Sequence, residues 1–323
     1  MNPTSRPLTI GIAPPFAGPW ATPQNQLRVA QRAEELGYGS LWTLSRLLFP
    51  VGPDGEGEQD HFGQVFRQVC EPIVTLAYLA SRTTRIRLGI SAVVAPFYSP
   101  PVLAKQLIAL DRVSGGRLDV GAAQGWSPEE FLAAGVPFER RLGRTLEYVT
   151  VLREMWENEI AAFDGEFAHL PRVLVRPRPV QRTLPLLLGG SGDKAWRRAG
   201  RLGSGWVGPA FVTREEVARA AELVREGAES AGKDPDAARI VVRAAAFVRP
   251  GGQPGRQLFN GSLEEIAADL AEMRELGATE VFADFNFDYE VVGPHTDPAA
   301  SMDLIEHALE VLAPTSFASP AAA

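Results

Sequence analysis

Eight times along this chain a short apolar run is followed by a segment of helical periodicity, and that alternation restricts the fold more than any other feature. The runs cover residues 8–13, 40–44, 86–94, 118–122, 185–188, 206–207, 240–248 and 281–285. They read as continuous apolar stretches, so each strand must be buried on both faces, as in a parallel sheet covered by helices. The intervening helices are predicted over 25–39, 72–81, 100–112, 128–134, 142–156, 193–201, 214–230, 262–275 and 301–312. Leu27, Ala30, Ala33 and Leu36 recur at helical spacing before a Gly stop, and Ser262 with Glu265 has the spacing of a capping box. Eight such units in 323 residues predict an α/β fold, a (β/α)8 TIM barrel, as one domain over 1–313 with a disordered tail at 314–323. A doubly wound open sheet is the alternative, but the Gly-x-Gly-x-x-Gly turn it would carry after the first strand is absent. Residues 163–181 read as a small hairpin excursion. Two long stretches, 49–69 and 249–260, follow strands and are predicted to be loop insertions capping the C-terminal mouth.

Composition narrows the function classes. Apolar residues make up 45% of the chain, enough for a large core, and no apolar run reaches membrane-spanning length. The net charge of −7 argues against nucleic acid as a partner, because neutralising phosphates needs a basic surface. Cys70 is the only cysteine, so an internal disulfide is excluded, and no His/Asp/Glu set has metal-ligand spacing. The first apolar run is broken by Pro14 and Pro15 and shows no leader pattern; a cytoplasmic protein is the expectation.

In such a barrel chemistry sits at the C-terminal ends of the strands. No Gly-x-Ser-x-Gly elbow and no Walker loop occurs there. The sharpest signal is "LPLLLGGSGDKAWRRAG" (184–200), a buried strand ending in Gly189-Gly190-Ser191-Gly192 before a helix. Small residues let backbone N–H groups approach an anion, the helix N-terminus adds partial positive charge, and Ser191 and Lys194 add a hydroxyl and a cation. A plain tight turn with a helix cap is the other reading of the same residues. His61 and His295 lie in strand-to-helix loops and are candidates to face the mouth; His169 and His307 read as surface residues.

The chain resembles the luciferase-like flavin and deazaflavin oxidoreductases, specifically their coenzyme F420-dependent branch. The resemblance is carried by "AEELGYGSLW" (33–42), by residues 71–126 ending in "SGGRLDVGAAQGW", by "EEFLAAGVPFERRLGRTLEYV" (129–149) and by "LLLGGSGDKAWRRAGRLGSGW" (187–206). "SLEEIAADLAEMRELGATEV" (262–281) also fits. It implies that Trp42 and Gln124, Gly125 and Trp126 flank the cofactor, and that Gly189, Gly190, Ser191 and Gly192 take its phosphate. It also implies a non-proline cis peptide at Ser91–Ala92, forming a bulge behind the ring. By resemblance the protein is expected to be a homodimer.

One departure stands out. Where relatives typically carry Asp-His after the second strand, this chain has Ser45 and Arg46. Ser45 can hydrogen-bond but is a poor acid or base, and Arg46 cannot release a proton near neutral pH. His61, with Asp60 beside it, is a candidate replacement proton carrier; Tyr98 and Glu71 are others, although Glu71 before Pro72 also reads as a helix cap. Ser45, Arg46 and His61 are thus the candidate catalytic set. The implied activity is F420-dependent hydride transfer to or from a small organic substrate: an imine, activated alkene, alcohol or carbonyl. An FMNH2-dependent monooxygenase served by a flavin reductase is the alternative. A barrel that has lost redox chemistry, binding a ligand or catalysing a non-redox step, is a further one, motivated by Ser45–Arg46.

Overall fold

The computed structural model describes residues 7–52 and 63–317. Its frame is a closed barrel of parallel strands: β1 (Thr9–Ile12), β2 (Ser40–Thr43), β3 (Arg87–Val94), β4 (Leu118–Ala123), β5 (Leu186–Leu188), β6 (Gly205–Val207), β7 (Arg239–Ala245) and β8 (Glu280–Asp284). Each pairs with its sequence neighbour, and β8 closes on β1 from Thr9–Glu280 to Ile12–Ala283. The TIM barrel expected from the alternation is therefore present. Parallel neighbours require long crossovers, and helices supply them around the outside. Several of these helices open on a proline whose missing N–H costs nothing there, as at Pro23, Pro72, Pro128 and Pro298. The Glu71 carboxylate accepts from the Val74 amide at 2.6 Å, so its capping role is real. Ser262 and Glu265 form the expected capping box.

Three boundaries differ from expectation. The run 240–248 is broken at Ala246, whose amide turns to the Asp284 carbonyl at 2.9 Å; Phe247–Val248 then pairs with Asn260–Gly261, so the 249–260 loop returns onto the exit of β7. The last helix begins at Pro298, three residues early, because Asp297 caps it. A four-residue helix, Tyr289–Val292, capped by Asp288, follows β8 where a loop was expected. The hairpin is Ile160–Asp164 with His169–Leu174. Pro314–Phe317 forms a short 3-10 turn.

The N-terminal end of the barrel is a closed polar network. Arg239 bonds Asp119 and Glu280, each at 2.6 Å, and Arg87 forks onto both oxygens of Asp119 at 2.8 and 2.7 Å. Burial alone would push the Asp119 carboxyl up, but Arg239 and Arg87 outweigh it and hold the group below the ordinary carboxylate range. Trp42 belongs to this end. Its Nε1 donates to Glu280 at 2.7 Å and to Ser40 at 3.0 Å, and its ring stacks on Phe282. The indole expected to flank a cofactor is thus placed at this end of the barrel. Residues 40 and 42 both point into the barrel, but the indole reaches down to the first residue of β8, away from the mouth. Gly89 is small for the same reason, since a Cβ there would lie 2.3 Å from the indole.

Candidate active site

At the opposite end the strand exits enclose a cavity of about 250 Å³. Ser45 enters from the exit of β2, Ser91 and Ala92 from β3, Gln124 to Trp126 from β4, and Gly189 and Gly190 from β5. Val207 at the end of β6, Gly208 to Ala210 after it, and Phe287 after β8 complete a predominantly apolar wall. The Ser91–Ala92 peptide is cis, and the β3–β4 register shifts between Ile90 and Val93, which makes the expected bulge. The bulge needs Gly121 opposite it: a Cβ there would meet the Ile90 carbonyl at 2.5 Å. Gly125 is equally constrained, with φ +76° and no room for a side chain against Val94 and Phe131. It turns the chain so that Gln124 and Trp126 face the cavity.

Not every predicted site residue joins them. Ser191 and Gly192 are exposed and do not line the cavity, although Gly189 and Gly190 do. Gly192 is the N-cap of the helix Asp193–Leu202, and Asp193 in its first turn is engaged with Arg219 at 3.0 Å. His61 lies outside the described residues. His295, His169 and His307 are exposed, and His169 contacts Asp164 at 2.6 Å.

Arg46 is also not a cavity residue. Its side chain is buried with Glu130, Nε to Oε1 3.4 Å, and Nε donates to the Leu48 carbonyl at 2.8 Å. The same Glu130 oxygen accepts from the Leu47 and Leu48 amides at 2.6 and 3.2 Å. The guanidinium lies 4.7 Å from the centre of the Trp126 ring. So Arg46 fastens the exit of β2 to the helix Pro128–Ala133 and supports the cavity wall from behind. Its charge already has a buried partner, and its side chain sits behind the wall, not on the cavity, where the catalytic set had placed it. Ser45 is the residue of that pair that reaches the cavity. It lies beside Tyr98, whose phenol is pushed up by burial first and by the Glu71 charge second, against a lowering effect of Ser45.

Sequence reasoning missed the one charged group that lines the cavity among the described residues. Arg243, in β7, is 2% exposed. Its Nη1 pairs with Asp284 at 3.1 Å, and its Nη2 donates to the Ser91 carbonyl. Its Nε finds no acceptor among the described residues. The signal was a lone Arg inside "IVVRAAAF" and a lone Asp inside "VFADF". A charge within a strand buried on both faces needs a partner, and these two are each other's.

These residues suit a flat heteroaromatic ring with a polar edge. The walls are apolar, Ser45, Ser91, Gln124 and Arg243 supply hydrogen-bonding groups, and the Arg243 Nε donor is buried and unmatched. Gly189 and Gly190 leave backbone accessible where a tail would leave the cavity. Among the described residues no group of His, Cys, Asp and Glu is placed to hold a metal ion, and no helix is long and apolar enough to cross a membrane.

Comparison with known proteins agrees with this geometry. Residues 8–254 match the luciferase-like monooxygenase family. An F420-dependent glucose-6-phosphate dehydrogenase of Amycolatopsis mediterranei is 27% identical over 65% of this chain and 61% of its own. An FMNH2-dependent dimethylsulfone monooxygenase of Pseudomonas putida is 26% identical over 69% of this chain and 57% of its own. The crystal structure of the monooxygenase RslO1 from Streptomyces bottropensis superposes with a TM-score of 0.72 at 24% identity, covering 96% of this chain and all of that one. The barrel, the bulge behind its mouth and the match over three quarters of its length place this chain in the luciferase-like monooxygenase family of oxidoreductases.

Proposed function

We propose that the protein is an F420-dependent oxidoreductase that passes hydride between the deazaflavin and a small organic substrate. The observation that carries the reading is the mouth cavity, with apolar walls, a polar edge at Ser45, Ser91, Gln124 and Arg243, and a glycine exit at Gly189–Gly190. When bound, the deazaflavin supplies a ring carbon that carries hydride. The chain's own part is to position and to exclude water. Trp126, Phe287 and the 208–210 segment wall the cavity against solvent, and Gln124 and Ser91 offer hydrogen bonds along the edge. Tyr98 holds its proton at neutral pH beside Ser45, so the Ser45 hydroxyl offers a hydrogen bond at the cavity without an acid–base cycle. The substrate is an imine, activated alkene, alcohol or carbonyl, presented on the apolar side. A homodimer in the cytoplasm is part of the proposal.

An FMNH2-dependent monooxygenase is the second reading, favoured by the identity to the dimethylsulfone enzyme; it requires a flavin reductase as partner. Titration of the purified protein with F420 and with FMN, followed by absorbance and fluorescence, separates the two. Saturable F420 binding without FMN binding supports the first reading, the reverse supports the second, and binding of neither overturns both. Sedimentation giving a single monomeric species refutes the dimer.

A further inference from the structure

We propose that Arg243, backed by Asp284, is a fixed cation facing the ring cavity that makes this site bind the reduced cofactor more tightly than the oxidised one. The inference rests on the cavity being a flavin or deazaflavin site and extends it to the redox state the site prefers. Hydride joins such a ring as a proton with two electrons, so the ring system gains one negative charge unless a further proton follows. A cation held beside it in a water-poor cavity stabilises that added charge.

The geometry gives the pair a direction. Arg243 lines the cavity and Asp284 does not, so the positive end of the buried pair faces the ligand space and the negative end lies behind it. Asp284 cannot swing forward. Its Oδ1 accepts from the Asn286 amide at 3.0 Å and from Asn286 Nδ2 at 2.9 Å, while Asn286 is itself held by the Phe16 and Ala17 amides and the Pro14 carbonyl. Arg243 is held just as firmly, by Asp284, by the Ser91 carbonyl and between the rings of Phe282 and Phe287, with centroid distances of 5.3 and 5.2 Å. Burial lowers the guanidinium's pKa and Asp284 opposes that, but the starting value is so high that the group keeps its charge near neutral pH. Its Nε is the donor left unmatched in this arrangement. A residue needed only to fill the barrel would be apolar, as Val241 and Ala245 on the same face of β7 are.

The test is the ratio of two affinities. Dissociation constants are measured anaerobically for oxidised and dithionite-reduced FMN, and for F420 and F420H2, on wild type, Arg243→Gln, Arg243→Lys and Asp284→Asn. Wild type is expected to favour the reduced form. Arg243→Gln should lose about tenfold of that preference, which corresponds to about 30 mV for a two-electron couple. Arg243→Lys should keep part of it. Asp284→Asn removes the neutralising carboxylate and should shift the preference the opposite way, further towards the reduced form. A merely structural role would weaken both redox forms alike and leave the ratio fixed. A ratio unchanged in Arg243→Gln, or moved in the same direction by Asp284→Asn, overturns the inference while leaving the cofactor reading intact. If Arg243→Gln does not fold, Arg243→Lys and Asp284→Asn decide by the same criterion. Wild type that binds none of the four molecules overturns the cofactor reading and this inference with it.

Discussion

Both ends of the barrel bury arginine against aspartate, and the two clusters behave oppositely. At the N-terminal end Asp119 faces two arginines, Arg239 itself reaches a second carboxylate, and the Asp119 carboxyl is held low. At the mouth Asp284 faces one arginine; burial dominates and pushes its carboxyl up, with Arg243 and Asn286 pulling only partway back. The first network is closed on itself, and the second leaves the buried Arg243 Nε without an acceptor among the described residues. Closed charge networks hold a structure together, whereas a charge paired on one side only is available to a ligand. The same chemistry at the two ends therefore serves stability at one and binding at the other.

The largest expected effect tests the closed end. Asp119→Asn leaves Arg239 and Arg87 without their shared counter-charge and should cost about 3–5 kcal/mol in urea denaturation. Cofactor affinity of the folded fraction should stay unchanged; a large affinity loss would mean the two ends are not separate. The pH dependence follows with its sign. A carboxyl held low contributes stability that is present above the unfolded value of about 3.9 and is lost as pH falls through its lower folded value. Asp119→Asn should therefore lose part of the acid limb of the stability curve. Asp284 runs the other way, since its raised carboxyl costs stability as pH rises from the unfolded value through the folded one.

Arg46→Ala comes next. It strands the Glu130 carboxylate in a dry site, although the Leu47 and Leu48 amides still bond it, and should cost about 3 kcal/mol of stability. Affinity should fall less than in the next variant; the reverse order would put Arg46 with the ligand. Gly190→Asp places a carboxylate and a side chain at φ +129° beside the cavity exit. It should weaken cofactor binding by about 1–3 kcal/mol with circular dichroism unchanged, while Gly192→Asp, outside the cavity, should do less. The smallest effect is Ser45→Ala, about 1 kcal/mol or less in affinity. Loss of the lowering effect of Ser45 should raise the Tyr98 titration further, visible in the phenolate absorbance.

Much of this was legible in the sequence, and the failures have physical causes. Continuous apolar runs betray strands buried on both faces, so the barrel and the strand exits follow directly, and with them Ser91–Ala92, Gln124–Trp126 and Gly189–Gly190 on the cavity. Trp42 went to the wrong end because strand parity tells which face a residue takes and not how far along the axis a long indole reaches. Arg46 looked like a free cation because Glu130, its partner, is 84 residues away in the chain. Arg243 was passed over because a single charge barely disturbs the apolar average of β7, although that isolation was the clue.

The attachment of the 49–69 stretch has a consequence for how such a protein can change over time. One foot is fixed where Glu130 takes the Leu47 and Leu48 amides. The other is fixed where Val69 bridges Ala17 and the Cys70 amide bonds the Phe16 carbonyl at 2.8 Å. The attachments are made by main-chain groups and the Glu130 carboxylate, whereas Val65 and Phe66, just before the second foot, are buried, and Phe66 packs edge-on against Phe287 of the cavity wall. A substitution at Phe66 would therefore be felt at the mouth, while a change of side chain at a main-chain attachment would leave its hydrogen bond in place.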